Sequence, residues 1–368
     1  MKLFFIIPSL GFGGAERVLL ELAGNWTISH SIYILTLTNK EDDFYDIPEN
    51  VIRYKVSSEN DKWYDLRGVL KLILQIIKII NTIKPDFIVS FLLKANFFSL
   101  LAGFFVRRRI IICERNIILD PNISKHHKLL RKCLYPYAYK ITVQHEQIYH
   151  EFIESHPAIP PDKVFITPNP IKKFTRDSQN SVDLHSFFGD FTDRDKLMIG
   201  VGRFTPVKAF KDLIYTFSLI NMKKTNVRLA ILGEGSEYAE CKELLRKLSL
   251  EKVIVLPGTV KNINSWYAAA DLFVTTTYYE GFPNALAESL AAGLPAIAFD
   301  APSISVLIKD GINGFVIGDR SKEKMAEKTV FILDNPDVYE RMSKEAEKIS
   351  DIYSFDNINK IWFDKVFI

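Results

Sequence analysis

Two glutamates eight residues apart, Glu280 and Glu288, flank the segment Gly281-Phe282-Pro283-Asn284-Ala285-Leu286-Ala287. Gly281 and Pro283 break any helix, so Glu280 is expected on a loop after a strand. A helix is expected to begin near Pro283 and Asn284, since proline's missing N–H would be unpaired there anyway. The amides of Asn284, Ala285 and Leu286 would then lie at the positive end of a helix dipole, an anion site suited to a diphosphate. Glu288, about one turn further on, can accept two hydrogen bonds from vicinal hydroxyls such as those of a ribose. Glu280, ahead of the helix, would face whatever hangs from the other end of the diphosphate. Two glutamates at this spacing are, taken alone, more often ordinary surface residues.

The neighbouring motifs give the pair weight. Gly200-Val201-Gly202-Arg203 closes an apolar run, and Lys208 follows five residues after Arg203. An arginine and a lysine at a strand's carboxyl end can offset the charge of a departing diphosphate, the first through forked bonds and the second as a point charge. Gly233-Glu234-Gly235 and Pro257-Gly258 close two further strands and leave backbone room for a ligand. In the N-terminal half, Gly11-Phe12-Gly13-Gly14-Ala15-Glu16 opens a helix after the first strand, and Glu16 breaks the dinucleotide fingerprint G-x-G-x-x-G. Cys113-Glu114-Arg115-Asn116 ends another strand. Between Arg67 and Arg109 the chain carries eight Lys or Arg against one acid, Asp86. Arg67, Lys71 and Lys78 share one face of an apolar helix, the pattern of a membrane-surface element or of a core helix with a solvated edge.

These groups need a frame, and the pattern supplies one. At 368 residues, 48% hydrophobic and 25% charged, the chain suits two globular domains. Strand and helix alternate from Leu3 to Ile166, starting with an apolar strand and including a helix over 65–83. Residues 168–196 read as a linker, with Pro168, Pro170 and a polar run. The alternation then restarts at Met198 and continues to Phe299. The expected class is therefore α/β, two doubly wound domains whose ligands bind at the carboxyl ends of the strands and which face a central cleft. The boundaries are 1–170 and 171–352, followed by an amphipathic segment, 353–368. A net charge of +3 gives no reason to invoke nucleic acid. Cys113, Cys133 and Cys241 show neither zinc nor redox spacing, as for free thiols in a reducing cytoplasm. The longest strongly apolar stretch, 95–106, is too short to span a bilayer of about 20 helical residues.

Taken together, Gly200-Val201-Gly202-Arg203-Phe204 with Lys208, Leu232-Gly233-Glu234-Gly235, Glu280-Gly281-Phe282-Pro283 with Glu288, Gly293-Leu294-Pro295-Ala296-Ile297 and Asp310 to Phe315 resemble glycosyltransferase family four. These are retaining enzymes of the GT-B fold with a Glu-x7-Glu motif. The resemblance spans nearly the whole chain and is strongest from Ile199 to Phe315. It implies that the segment 353–368 packs back on the first domain, and it implies Glu280, Arg203 and Lys208 as the catalytic set. It implies Gly13, Gly14, Gly202, Gly233, Glu234, Phe282, Pro283, Asn284, Ala285, Leu286 and Glu288 as donor-binding residues. Arg115 and Asn116 stand where many members have a sugar-contacting histidine, and they are expected, with Arg67, Lys71 and Lys78, on the acceptor side. His126, His127 and His145 are other candidates for the missing histidine, and Asn169 matches a family position at the domain crossover. The resemblance further implies a UDP-sugar donor, no metal or other cofactor, and a lipid-linked glycan acceptor of a bacterial surface polysaccharide, met at the inner face of the cytoplasmic membrane. Three rivals remain open: a sugar-nucleotide epimerase or phosphorylase of the same fold, a non-catalytic sugar-nucleotide-binding subunit, and, weakest, an NAD-dependent dehydrogenase.

Overall fold

The computed structural model describes residues 1–38, 43–56, 66–115, 124–175 and 181–368. The chain forms two compact units, Met1–Pro170 with Phe355–Ile368, and Ile171–Ser354. The first unit runs Lys2–Ile7 (β1), Gly14–Trp26 (α1), Ser31–Thr36 (β2), Val51–Lys55 (β3), Leu66–Ile83 (α2), Phe87–Phe91 (β4), Leu93–Val106 (α3), Arg109–Cys113 (β5), Lys125–Leu134 (α4), Lys140–Val143 (β6), Glu146–Ser155 (α5) and Val164–Ile166 (β7). Its seven strands are ordered β3-β2-β1-β4-β5-β6-β7, and every pairing is parallel. The reason is legible in the strands: β1 and β4 are near-continuous apolar runs buried on both faces, as a helix-covered parallel sheet requires.

The second unit runs Leu184–Phe188 (α6), Lys196–Val201 (β8), Phe210–Lys223 (α7), Val227–Leu232 (β9), Tyr238–Lys247 (α8), Ile254–Gly258 (β10), Ile263–Ala269 (α9), Leu272–Thr275 (β11), Asn284–Ala291 (α10), Ala296–Phe299 (β12), Ile304–Leu307 (α11), Gly314–Ile317 (β13), Lys322–Asp334 (α12), Pro336–Glu347 (α13) and Ile349–Ile352 (α14). Its sheet has the order β10-β9-β8-β11-β12-β13, again all parallel. The strand order reverses between β8 and β11, the place where such sheets open a crevice for a ligand.

The stretch expected as a linker is different. Ile171 and Phe188 are buried in the core of the second unit, α6 is capped by Asp183, and the Ile171 amide donates to the Tyr353 carbonyl. Its prolines and polar residues disguise two apolar anchors that dock on the sheet. The C-terminal helix Phe355–Ile361 (α15) and the single π-turn Trp362–Val366 return to the first unit. There Trp362 is fully buried and meets Trp26 edge-on at 5.4 Å. Trp26 also donates from Nε1 to Asn359 Oδ1 at 2.7 Å, and Lys140 Nζ donates to the Lys365 carbonyl at 2.6 Å. Among the described residues no helix is long and apolar enough to cross a membrane. Cys113 and Cys241 are buried, while Cys133 is exposed.

Candidate active site

The carboxyl ends of β8, β9 and β10 are stitched edge to edge. The Gly202 amide donates to the Leu232 carbonyl, the Gly233 amide to the Gly258 carbonyl, and the Phe204 amide to the Glu234 carbonyl. Gly233 has φ +125°, and a Cβ there would stand 2.0 Å from the Gly202 carbonyl oxygen. Only glycine fits this approach. A Cβ on Gly202 would stand 3.0 Å from Lys208 Cε, so this glycine gives the lysine its path along the strand end. Arg203 and Glu234 are exposed on the same rim.

Lys208 closes a short 3-10 turn, Pro206–Lys208. Across the reversal point, β11 ends at Thr275 and the chain passes through Thr276 to Tyr279 to reach Glu280. Lys208 Nζ and Glu280 Oε1 form an ion pair there. Both side chains are about four-fifths buried, at 21% and 18% exposure. The pairing joins one group from each side of the sheet's reversal, which the sequence spacing alone did not reveal. The threonines that precede Glu280 fix it further: Thr276 Oγ1 donates to the Ala209 carbonyl at 2.9 Å, and Thr277 Oγ1 to the Val207 carbonyl at 3.1 Å. Ser303, held at φ +75°, donates from Oγ to the Glu280 carbonyl. These three hydroxyl residues escaped the sequence reading. The run Thr275-Thr276-Thr277 straight after an apolar strand was the available signal, since buried hydroxyls need partners.

The α10 helix starts after Pro283, whose φ −79° and ψ 77° make an inverse γ-turn. The turn consumes the Asn284 amide, which donates to the Phe282 carbonyl at 2.9 Å. The anion site expected from three amides therefore loses Asn284 and keeps Ala285 and Leu286, whose first-turn positions lack a carbonyl one helical turn earlier. The side chains of Phe282 and Leu286 enter the core, and Phe282 meets Tyr353 edge-on at 5.8 Å, so only backbone atoms of these two residues remain for a ligand. Glu288 sits one turn in, with its Oε2 3.5 Å from the Tyr267 hydroxyl, which donates to the Ala285 carbonyl at 3.2 Å.

In the first unit, Gly13 is the extended N-cap of α1 and Gly14 its first residue. A Cβ on Gly13 would meet the Glu16 carboxylate at 2.1 Å. Arg115 is not displayed as an acceptor contact would be. It is only 8% exposed, lies over the Phe91 ring at 4.9 Å, and donates from Nη1 to Asn169 Oδ1 at 2.6 Å. Burial lowers its pKa from the ordinary arginine value. The structure thus joins two residues, 54 positions apart, that the sequence marked separately. Glu114 is fully buried; it pairs with Arg131 at 3.1 Å and accepts from the Tyr135 hydroxyl at 2.8 Å. Burial, and next the Glu114 charge, push the Tyr135 phenol well above its usual pKa, so it remains a donor. Asn116 lies outside the described residues. His145 is buried at the N-cap of α5, and His126 and His127 lie in the first turn of α4. On α2, Arg67, Lys71 and Lys78 are exposed together with Leu70 and Leu74, while Leu72, Ile73, Ile76 and Ile80 pack inward.

An exposed arginine, a carboxylate–ammonium pair at the reversal point and an open helix start are groups able to hold an anionic, hydroxyl-bearing ligand. Residues 182–349, which contain all of them, match the family model described as glycosyl transferases group 1. That segment is a group 1 glycosyltransferase domain. The transferase is 29% identical to the N-acetylgalactosamine-N,N'-diacetylbacillosaminyl-diphospho-undecaprenol 4-alpha-N-acetylgalactosaminyltransferase of Campylobacter jejuni, over 82% of this chain and 81% of that protein. It is 27% identical to the amylovoran biosynthesis glycosyltransferase AmsD of Erwinia amylovora, over 99% of each chain. Its fold superposes on that of Anabaena HepE, solved in complex with UDP-glucose, with a TM-score of 0.83 at 18% identity, covering 100% of this chain and 99% of that one. The two-sheet GT-B architecture of the transferase is thereby established.

Proposed function

We propose that the transferase moves a hexose or N-acetylhexosamine, with retention, from a UDP-sugar to a hydroxyl of a lipid-linked glycan during bacterial surface-polysaccharide assembly. The observation that carries this reading is the Lys208–Glu280 pair at the reversal of the second sheet, beside the α10 helix start. The diphosphate lies against the Ala285 and Leu286 amides with Arg203 and Lys208 as its counter-charges. Glu288 holds the ribose hydroxyls, and Glu280 orients the donor sugar. The bond from C1 of the sugar to the phosphate oxygen breaks while a bond from C1 to the acceptor oxygen forms on the same face. The acceptor's proton passes to the departing phosphate. Side-chain cations can supply the charge stabilisation that such a step needs, so the reaction proceeds without a resident metal. The lipid-linked acceptor is supported by the diphospho-undecaprenol in the name of the Campylobacter relative, and the nucleotide by the UDP-glucose complex of HepE.

The test is UDP release from a panel of UDP-sugars, with and without a membrane extract carrying lipid-linked glycans, in the presence of EDTA. Release from one donor, only with extract and undiminished by chelation, is expected. Release without acceptor, or none from any donor, sinks the reading, and loss of release with EDTA removes its metal-free part.

The exposed face of α2 supports docking at the cytoplasmic side of the membrane. Arg67, Lys71 and Lys78 can meet anionic headgroups while Leu70 and Leu74, at 51% and 64% exposure, enter the interface. Each basic residue near such a surface contributes about 1 kcal/mol. Sedimentation with anionic phospholipid vesicles is therefore expected for the wild type and is expected to fall at least tenfold in Lys71→Glu/Lys78→Glu. Equal sedimentation of the two proteins would remove this face from the account.

A further inference from the structure

Arg320 follows β13 by three residues and adopts a left-handed backbone at φ +51°, a conformation unfavourable for a residue with a Cβ. Its guanidinium grips the segment that leads to Glu280. Nη2 donates to the Thr276 carbonyl at 2.7 Å and Nη1 to the Thr277 carbonyl at 3.1 Å. The Tyr278 ring stands 4.0 Å from the guanidinium carbon and the Phe299 ring 4.6 Å. Asp212 Oδ2 approaches Nη2 at 3.5 Å. These contacts involve two forked bonds and a planar group held by aromatic rings, a task for arginine that a lysine ammonium cannot reproduce.

The gripped segment is itself sewn to the Lys208 turn. Besides its bond to the Ala209 carbonyl, Thr276 Oγ1 lies 3.1 Å from that of Lys208, and the Tyr278 amide donates to the Val207 carbonyl at 2.8 Å. A shift of the Thr276–Tyr278 backbone would therefore move both partners of the Lys208–Glu280 pair. We propose that Arg320 is a positioning residue for sugar transfer: by clamping the Thr276 and Thr277 carbonyls it sets where the Glu280 carboxylate and the Lys208 ammonium stand relative to the donor. Arg320 acts through the backbone of 276–280 and has no direct part in the chemistry. The proposal rests on the assignment of Glu280 and Lys208 to the donor site.

The variants Arg320→Met and Arg320→Lys test it, with Glu280→Gln as a control. Amide hydrogen exchange, the melting temperature, UDP affinity and steady-state kinetics are measured for each. In Arg320→Met, exchange over 276–283 is expected to quicken several-fold while strands β8 and β9 keep wild-type protection. A displacement of about 1 Å in a catalytic group can cost about 100-fold in rate, so kcat is expected to fall at least tenfold with UDP affinity and melting temperature nearly unchanged. Arg320→Lys keeps the charge and is expected to remain slow. Unchanged exchange over 276–283 would overturn the clamp, as would full kcat in Arg320→Lys or a kcat loss matched by a loss of folded protein. Wild-type turnover in Glu280→Gln, with exchange still quickened in Arg320→Met, would instead remove the donor-site assignment and leave the clamp standing.

Discussion

In the proposed reaction, a carboxylate and an ammonium held together at a strand end do different work once a donor arrives. Lys208 can leave Glu280 for the diphosphate, and Glu280 can then accept a sugar hydroxyl. Removing the charge by Lys208→Met is expected to lower kcat about 10²–10³-fold, the range for loss of one transition-state donor. Glu280→Gln is expected to slow turnover at least tenfold while UDP binding, read by calorimetry, stays within about threefold of wild type. Glu288→Gln should behave in the opposite way, weakening UDP about tenfold or more, because a hydrogen bond to a charged acceptor is worth about 1.5–3 kcal/mol. Wild-type UDP affinity in that variant would remove Glu288 from the ribose. The two glutamates, Arg203 and Lys208 could be singled out as candidates because a diphosphate ligand would constrain their types and spacing. The Lys208–Glu280 contact, the Arg115–Asn169 bond and the Ser303 hydroxyl on the Glu280 carbonyl were not. Each joins residues from different elements, and only the folded sheet sets those distances.

At the scale of elements, the rim of the second sheet depends on glycines that let strand ends touch. Gly233→Ala places a methyl group 2.0 Å from a backbone oxygen at a positive φ, and neither backbone can yield without opening the β8–β9 end. Destabilisation beyond about 1 kcal/mol is expected, seen as an earlier melting transition together with weakened UDP binding. A variant with the wild-type melting temperature would show that the rim can flex. Most strands were readable as short apolar runs between turn signals, because a helix-covered parallel sheet leaves no polar face to blur them. Two elements were harder. β13 is only four residues long and begins with Gly314, so its strand character comes from pairing with β12 rather than from propensity. The α6 region hides Ile171 and Phe188 among polar neighbours, and burial there is a property of the docked surface, not of local pattern.

For the whole molecule, the unit containing Met1–Pro170 is incomplete without residues that come after the other unit. Trp362 fills the space beside Trp26, Phe363 meets the same ring at 5.4 Å, and Phe367 lies 5.1 Å from Phe87. Trp362→Ala is expected to cost the first unit about 3–5 kcal/mol. Denaturant titration should then show two steps, the first unit unfolding earlier and the second keeping its wild-type midpoint. A single transition at the wild-type midpoint would mean that the aromatic cluster contributes little. The two-domain division was legible from the restart of the strand–helix alternation at Met198. The returning segment showed itself only as an amphipathic pattern, and its destination on the first unit came from family resemblance.

The same return governs the order in which the chain can finish folding as it is made. Domains usually complete themselves in the order in which they leave the ribosome. Here Ile171–Ser354 has all its strands in hand before Trp362 is even synthesised, while the earlier unit waits with the flank of Trp26 uncovered. The second unit therefore matures first, and the first unit closes only when the last helix is available. A released chain ending at residue 354 should carry a protease-resistant second unit attached to a first unit that remains open to attack.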